Sequence, residues 1–441
     1  MTNLFGTDGV RGGANALLTP ELAIRLARAT AQRMATPGGR TIIGRDTRTS
    51  GPMLEAALAA GLASAGVDVL LAGVIPTPAI SFLIKDERAD LGAVVSASHN
   101  PPGDNGIKLF DRHGMKLSVE EETSIETILF DDLAPAKRVG TIGTLESAAA
   151  RYAAFLAGTI DVEAIDLATH TLAVDCAFGA TFEIAPHVLR HLGASVIELN
   201  AVPDGSRINQ ECGSTHLEAI AKGVSDHNAD LGIAFDGDGD RVLLVTPSGR
   251  TIDGDRMMGI VALHMHRKGT LSPPIVVATV MSNMGLERAL GDRGIDLVRT
   301  PVGDRNVSQA LVDHKAQLGG EQSGHIIFAD HSPTGDGILT AVKLLEIAHE
   351  TETDLETLAD EIPLFPQNHR TIACNNAAEV VEMPAIQAAL EEARAALGDR
   401  GRVIVRASGT QSAIRLTVQA DDDRLCSDVT SGLEATILRH T

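Results

Sequence analysis

The sequence predicts an α/β protein assembled from several modules. Short β-branched runs alternate with Ala/Leu-rich amphipathic stretches along the chain, a pattern of α/β units with parallel or mixed sheets. The 441 residues exceed what one core organises and suit about three domains. Hydrophobic residues make up 44% of the chain, enough for an extensive core and against global disorder.

In chain order, strands are predicted at 41–43, 67–71, 91–95, 171–174, 195–199, 231–235, 275–280, 325–328 and 402–405. Helices between them carry readable ends. Thr19-Pro20-Glu21 supplies an N-cap, a proline at the first helical position and an acidic first turn. Gly66, Gly193 and Gly398 follow helical runs where a left-handed residue would end them. The most apolar stretch, 56–75, is interrupted by Gly61, Gly66 and Asp68, so it reads as helix then strand rather than a membrane span. Low-periodicity breaks at 134–144, 246–255 and 362–369 divide the chain into 1–140, 141–248, 249–364 and 365–441. The first three are alike in pattern and the fourth is smaller.

Charge narrows the function. With Lys+Arg at 37 and Asp+Glu at 58 the net charge is −21, which repels phosphate backbones and anionic lipid and argues against nucleic-acid and membrane partners. Aromatic residues at 2% leave little for base stacking. Cys176, Cys212, Cys374 and Cys426 are scattered, and the N-terminus lacks a basic start and an apolar core, so a reducing cytoplasm is expected.

Four motifs carry chemistry. Asp236-Gly237-Asp238-Gly239-Asp240-Arg241 follows an apolar strand, and three carboxylates at alternate positions with intervening glycines can converge on a hard cation such as Mg²⁺. An EF-hand is excluded, because Arg241 and Pro247 stand where glycine and glutamate are needed. Arg241 suggests that an anion arrives beside the cation. Ser96-Ala97-Ser98-His99-Asn100-Pro101-Pro102 ends another strand, and Ser98 is placed as an exposed nucleophile or phosphate carrier; an ordinary polar turn is the even alternative on this motif alone. The chain contains no G-x-S-x-G elbow, which disfavours a Ser/His hydrolase, and Lys108 is a nearby acid/base or phosphate-contact candidate.

Gly319-Gly320-Glu321-Gln322-Ser323-Gly324-His325 begins a strand; if extended, it turns Glu321 and Ser323 to one face, suited to sugar hydroxyls, with His325 as a proton-transfer candidate. Arg406 to Arg415, with Ser408, Gly409 and Thr410, offers arginines, hydroxyls and turn N–H groups to a phosphate dianion. No Walker A motif exists. Glycine- and arginine-bearing loops at 5–12 and 44–48 add positive charge. Together these features suit a sugar bearing phosphate at either end and a serine that passes phosphoryl groups.

At FGTDGVRG, SASHNP, DGDGDR, GGEQSGH and RASGTQSAIR, in this order, the sequence resembles the α-D-phosphohexomutase superfamily over essentially the whole chain, and Gln322 favours its glucosamine branch. The resemblance implies three similar α/β domains with mixed sheets plus a smaller α+β C-terminal domain, heart-shaped around a central cleft. It implies an intramolecular phosphotransferase of the isomerase class that interconverts glucosamine 6-phosphate and glucosamine 1-phosphate, feeding UDP-N-acetylglucosamine and cell-wall precursors. Glucosamine 1,6-bisphosphate would be intermediate and activator, with one Mg²⁺ per subunit.

Carried over residue by residue, Ser98 is the phosphoserine and a metal ligand with Asp236, Asp238 and Asp240. Glu321 and Ser323 hold sugar hydroxyls, Arg241 is a further substrate contact, and Arg406, Ser408, Gly409, Thr410 and Arg415 hold the non-transferred phosphate. Lys108 and His325 are acid/base candidates, assisted by Arg11. A homodimer and a kinase acting on Ser98 are the protein partners compatible with this scheme. A mannose or glucose mutase and a non-catalytic sugar-phosphate binder are the rival readings. Ala407, Gln411 and Ser412 replace the clamp's usual Pro, Glu and Pro; Asn306 and Phe178 replace tyrosine and asparagine.

Overall fold

Residues 4–6, 8–36, 38–133, 136–160, 165–408 and 412–441 are described in a computed structural model. Their strands form four sheets in succession. The first comprises β1 (Val10–Gly13), β2 (Arg40–Arg45), β3 (Asp68–Val74), β4 (Leu91–Val95), β5 (Asp104–Phe110) and β6 (Ile142–Thr144), in the order β1-β5-β4-β2-β3-β6. Strands β4, β2, β3 and β6 are parallel, whereas β5 and β1 run antiparallel to their neighbours.

The second sheet, β11-β10-β9-β7-β8, uses β7 (Thr171–Asp175), β8 (Ser195–Leu199), β9 (Leu231–Phe235), β10 (Val242–Val245) and β11 (Thr251–Ile252). The third, β13-β12-β14-β15, uses β12 (Ile275–Thr279), β13 (Asp296–Thr300), β14 (Leu318–Gly320) and β15 (Ile326–Phe328). Both are mixed, with parallel pairs β7–β8, β7–β9, β12–β13 and β12–β14. The fourth sheet is wholly antiparallel, β16-β18-β17, from β16 (Gln367–Ala373), β17 (Gly401–Ala407) and β18 (Ala413–Ala420).

The chain separates into two compact units. One contains residues 1–282 and 294–361 with the first three sheets; the other contains 283–293 and 362–441 with the fourth. Helix Met284–Gly291 thus belongs with the second unit, where the Met284 N–H donates to Gln419 Oε1 at 3.0 Å.

The local reasons for these elements are legible. Strands β4 and β9 are apolar and buried along their whole length, as central strands covered on both faces require. Thr19 Oγ1 accepts from Leu22 N–H at 3.2 Å and starts helix Pro20–Met34. Gly66, Gly193 and Gly398 take φ of +87°, +97° and +49° after helices. Strands β1, β5, β6, β10, β11, β13, β14, β16 and β18 lie outside the predicted set. β5 opens with Asp-Asn-Gly and β1 ends in Gly-Gly, local turn signals that pairing between the two strands overrides. Among the described residues no helix is long and apolar enough to cross a membrane.

Candidate active site

Strands β2, β4 and β9 each end in a loop at their carboxyl edge, where α/β sheets gather ligands. Ser98 follows β4 with φ +50°, a left-handed conformation that costs a non-glycine residue about 1–3 kcal/mol unless its surroundings fix it. They do. Its N–H donates to Ser96 Oγ at 2.9 Å, and Ser96 Oγ donates to Asp46 Oδ2 at 2.6 Å. Its carbonyl accepts from Arg48 Nη2 at 2.9 Å and Asn209 Nδ2 at 2.8 Å. Arg48 is fully buried, pairs with Asp46 at 2.9 Å, and also donates to the carbonyls of Asn100, Pro101 and Asp104. One guanidinium thus braces the whole turn.

The loop after β9 meets this turn. Ser98 Oγ donates to Asp236 Oδ2 at 2.6 Å across 138 positions of sequence. Asp236 Oδ1 accepts from the Arg241 N–H at 3.2 Å. Asp238 Oδ2 accepts from Thr77 Oγ1 at 2.5 Å and Lys108 Nζ at 2.7 Å, and Asp240 Oδ2 lies 3.2 Å from the same Nζ. The approach is so close that a side chain at Gly237 would put Cβ 2.8 Å from the Ser98 carbonyl oxygen, and Gly239 needs φ +73°.

The carboxylate oxygens of Asp236, Asp238 and Asp240 lie within 4.8 Å of one another, all buried. Among the described residues, Asp238 Oδ1 and Asp240 Oδ1 have no hydrogen-bond partner. Buried orphan carboxylate oxygens are costly, and hard oxygen donors converging this way fit Mg²⁺. Burial, then repulsion from Asp240 and Asp238, pushes the Asp236 pKa well above the usual range. Burial opposes ionisation of Asp240 too, but Lys108, His325 and Arg241 hold its pKa low. Burial likewise disfavours the charge on Lys108; Asp238, Asp240 and Asp8 outweigh it and keep the ammonium protonated.

Outward from Lys108 the charges alternate. Asp8 Oδ2 lies 3.1 Å from Lys108 Nζ, and Asp8 also pairs with Arg11 and Lys116. Lys116 bridges onward to Asp304, whose Oδ2 is 3.8 Å from His325 Nε2. Burial alone would raise the Asp8 pKa, but Lys108, Lys116 and Arg11 hold it well below the carboxylate range. The buried His325 ring accepts from the Gly335 N–H at 3.2 Å, while its Nδ1 has no hydrogen-bond partner among the described residues. His99 Nδ1 is 3.5 Å from Ser98 Oγ, and burial together with Arg241 and Arg11 pushes its pKa down to about 4. With the hydroxyl committed to Asp236 at 2.6 Å and the imidazole at the edge of hydrogen-bond reach, the pair lacks the nucleophile–base bond of a Ser/His hydrolase.

One expectation is corrected. Residues 321–325 are a turn between β14 and β15 rather than an extended strand, with the Gly324 N–H donating to the Glu321 carbonyl at 3.0 Å and Gly324 at φ +92°. The turn still brings Ser323 Oγ to 3.4 Å from Glu321 Oε2, while Glu321 Oε1 accepts from the Gly303 N–H at 3.1 Å. The buried Arg241 Nε lies 3.9 Å from Asp240 Oδ1 and has no hydrogen-bond partner among the described residues.

A further link supports the acidic loop. Tyr152 donates to Asp336 Oδ2 at 2.6 Å, and Asp336 Oδ1 caps helix Gly337–Glu350 by accepting from Leu339 N–H at 2.9 Å. The Gly337 N–H then donates to the Gly239 carbonyl at 3.0 Å. Burial lifts the Asp336 pKa to about 6.

In the second unit the hairpin of β17 and β18 pairs Arg406 with Arg415, so both side chains share a face. Thr371, on β16, is Arg415's partner on the other side and accepts from its guanidinium. The Ser408 N–H donates to the Ala413 carbonyl at 2.8 Å; Gly409, Thr410 and Gln411 lie outside the described residues. Ala407 packs against the apolar core of this unit, and the Ser412 carbonyl accepts from Cys374 N–H at 2.9 Å.

Arg48, Asn209, Thr77, Asp8, Lys116 and Asp304 were not singled out by sequence reasoning. Asp8 and Arg48 fall in the glycine- and arginine-bearing loops, a signal too general to assign them; the others carry none. Phe178 occupies φ +54° beneath the Arg207 guanidinium, 4.0 Å from its ring centroid, and Asn306 bonds the carbonyls of Pro301 and Val302.

Family models match the chain throughout: phosphoglucomutase/phosphomannomutase alpha/beta/alpha domain I at residues 2–135, domain II at 150–249, domain III at 253–365 and the C-terminal domain at 371–431. The phosphoglucosamine mutase of Pelotomaculum thermopropionicum is 48% identical, with 94% of each chain covered. A phosphoglucomutase/phosphomannomutase family protein from Burkholderia thailandensis matches in structure with a TM-score of 0.83 at 26% identity, covering 99% of this chain and 97% of that one. Aspergillus fumigatus N-acetylphosphoglucosamine mutase, solved with GlcNAc-6P and magnesium, shares the fold at a TM-score of 0.71 and 17% identity, covering 98% of this chain and 95% of that one.

Proposed function

The chain belongs to the phosphoglucomutase/phosphomannomutase family, and on that premise we propose that it works as a phosphoglucosamine mutase, interconverting glucosamine 6-phosphate and glucosamine 1-phosphate. The observation that carries this reading is the 2.6 Å bond from Ser98 to Asp236 inside the buried carboxylate triad. Ser98 is the phosphoryl carrier, and glucosamine 1,6-bisphosphate is the intermediate. Asp236, Asp238 and Asp240, with an oxygen on Ser98, would hold one Mg²⁺, which when bound neutralises charge on the transferring phosphoryl group.

The chain's own residues do the rest. His325 takes the proton of the sugar hydroxyl as its oxygen bonds to phosphorus and the Ser98 Oγ–P bond breaks. Lys108, held protonated, acts as the acid that gives a proton to the departing Ser98 Oγ; the return step runs the same transfers in reverse. Arg11 and Arg241 steady the phosphoryl oxygens. Glu321 and Ser323 grip sugar hydroxyls, and Arg406, Ser408, Gly409, Thr410 and Arg415 hold the phosphate that stays. This assigns the phosphoserine to residues 1–140, the metal carboxylates to 141–248, the sugar contacts to 249–364 and the phosphate clamp to 365–441. The product would serve UDP-N-acetylglucosamine synthesis in the cytoplasm, with a kinase or a bisphosphate installing the first phosphate on Ser98.

A coupled assay on glucosamine 6-phosphate with Mg²⁺ and a catalytic amount of glucosamine 1,6-bisphosphate tests the reading. Turnover with kcat/KM well above that for mannose and glucose 6-phosphates is expected. A large preference for either of those would replace the amino sugar. Binding without turnover by serine-phosphorylated protein would make the chain a sugar-phosphate binder.

A further inference from the structure

Two crossed ion pairs near the site take no part in the chemistry described above. Asp304 and Arg305 open helix Asp304–His314. Asp304 pairs with Lys116, and Arg305 pairs with Glu122 on helix Val119–Glu126. The polarity reverses between the rungs: anion to cation at 304–116, cation to anion at 305–122. A slip by one residue would set Asp304 against Glu122 or Arg305 against Lys116, so the pattern permits one register and penalises its neighbours. All four side chains are largely buried, with Arg305 the most exposed at 19%. Buried ion pairs contribute little net stability compared with apolar packing, and registry is their best-attested use.

What the rungs connect gives that registry a purpose. On one side Lys116 pairs with Asp8, and Asp8 lies 3.1 Å from Lys108. On the other, Asp304 lies 3.8 Å from His325, and the N–H of Gly303, the residue before it, holds Glu321 at 3.1 Å. Gly303 has φ +124°, a backbone position that only glycine takes readily, so its N–H aims at Glu321 only while the following residues stay in place.

We propose that Asp304–Lys116 and Arg305–Glu122 form a charge-registered latch that positions Glu321 and His325 against Lys108. The four are positioning residues and touch no substrate. The proposal rests on the mutase reading for the roles of the three groups it positions.

Reversal of the outer rung tests it. Arg305→Glu sets two carboxylates face to face and should lower kcat/KM for glucosamine 6-phosphate at least tenfold, through kcat as well as KM. Amide hydrogen exchange across residues 303–307 should quicken in step. The doubly reversed Glu122→Arg/Arg305→Glu protein should return to within about threefold of the parent in both parameters, with parent-like exchange. Both variants are assayed well below their unfolding midpoints, so that a change in kcat reports the site and not the fraction folded. A folded Arg305→Glu protein with parent-like kcat, KM and exchange overturns the latch. So does a double variant that stays impaired or unfolded. If the single variant does not fold, recovery of fold and turnover in the double supports the proposal. A parent inactive on glucosamine 6-phosphate, whose exchange nevertheless follows the charge pattern, sinks the mutase reading and leaves the latch standing.

Discussion

Around Ser98, the carboxylates of Asp8, Asp236, Asp238, Asp240 and Asp304 interleave with Arg11, Lys108, Lys116 and Arg241, and most of these groups are buried. The hairpin of β17 and β18 does the reverse: it faces Arg406 with Arg415 across a strand pair near the surface. Like charges opposed in a sheet repel unless an anion lies between them. The buried centre therefore carries its compensation within the protein, which suits chemistry that must find its groups already aimed. Along the hairpin the Arg415 guanidinium meets the hydroxyl of Thr371, and on the proposed reading the clamp would add a phosphate to that setting. The two regions thus differ in what the fold sets beside their cations: interleaved carboxylates in the one, a like charge and a hydroxyl in the other.

The strongest way to break this contrast is Ser98→Ala. If Ser98 is the carrier, as proposed, turnover in the coupled assay should fall by roughly 10³-fold or more, while circular dichroism and thermal unfolding stay near the parent. Retained turnover would remove the carrier role from the buried centre. Arg415→Ala comes next. A phosphate held far from the reacting bond contributes to kcat as well as KM, so a loss of about ten- to a hundredfold in kcat/KM is expected, shared between both parameters. Steady-state kinetics unchanged by it would deny the hairpin its ligand.

Asp336→Asn sharpens the electrostatic side. Asp336 has a folded-state pKa near 6, above the unfolded value of 3.8, so its contribution favours the folded state at low pH and is lost as pH rises through about 6. Asparagine retains the helix cap, and its Nδ2 can donate to the Tyr152 hydroxyl. Relative to the parent, the variant should gain about 1 kcal/mol between pH 5 and pH 8, read from denaturant unfolding at each pH. A constant difference across that range would place the titration elsewhere. Phe178→Asn touches turnover least. It relieves a left-handed phenylalanine, worth about 1 kcal/mol, but forfeits the Arg207 stack and the burial of the ring, a loss of about 2–4 kcal/mol. Turnover should stay within twofold while the unfolding free energy falls by about 1–3 kcal/mol; a large loss of turnover would mean that the ring helps to hold the neighbouring Thr47, whose hydroxyl bonds the Phe178 carbonyl at 2.6 Å.

The sequence made some of this legible and hid the rest for physical reasons. Asp236, Asp238 and Asp240 announce themselves because alternate positions on one loop need no tertiary information to converge. Apolar strands such as β4 and β9 are equally plain, since burial on both faces leaves a continuous signature. β5 was hidden by its own Asp-Asn-Gly opening, although it carries Lys108. The turn at 321–325 is not distinguishable from an extended segment in the sequence, because alternation looks the same in a short turn and a short strand. Arg48, Lys116 and Asp304 show nothing in isolation: a lone charged residue becomes structural only when folding delivers its partner from another loop. The latch at Asp304 and Arg305 has its partners 188 and 183 positions away.

The link from Tyr152 through Asp336 to the Gly239 loop also has an optical side. The chain has no tryptophan and a single tyrosine, so above the phenylalanine band its ultraviolet absorption and emission come almost wholly from one phenol. That phenol sits beside Phe82 and Phe155, at centroid separations of 6.2 and 6.1 Å. Its carboxylate partner caps a helix whose first residue bonds the acidic loop. The single phenol is thus linked by hydrogen bonds to the acidic turn at 236–240, and if Mg²⁺ loads there its absorption and emission should shift, a change a spectrometer can follow without any label.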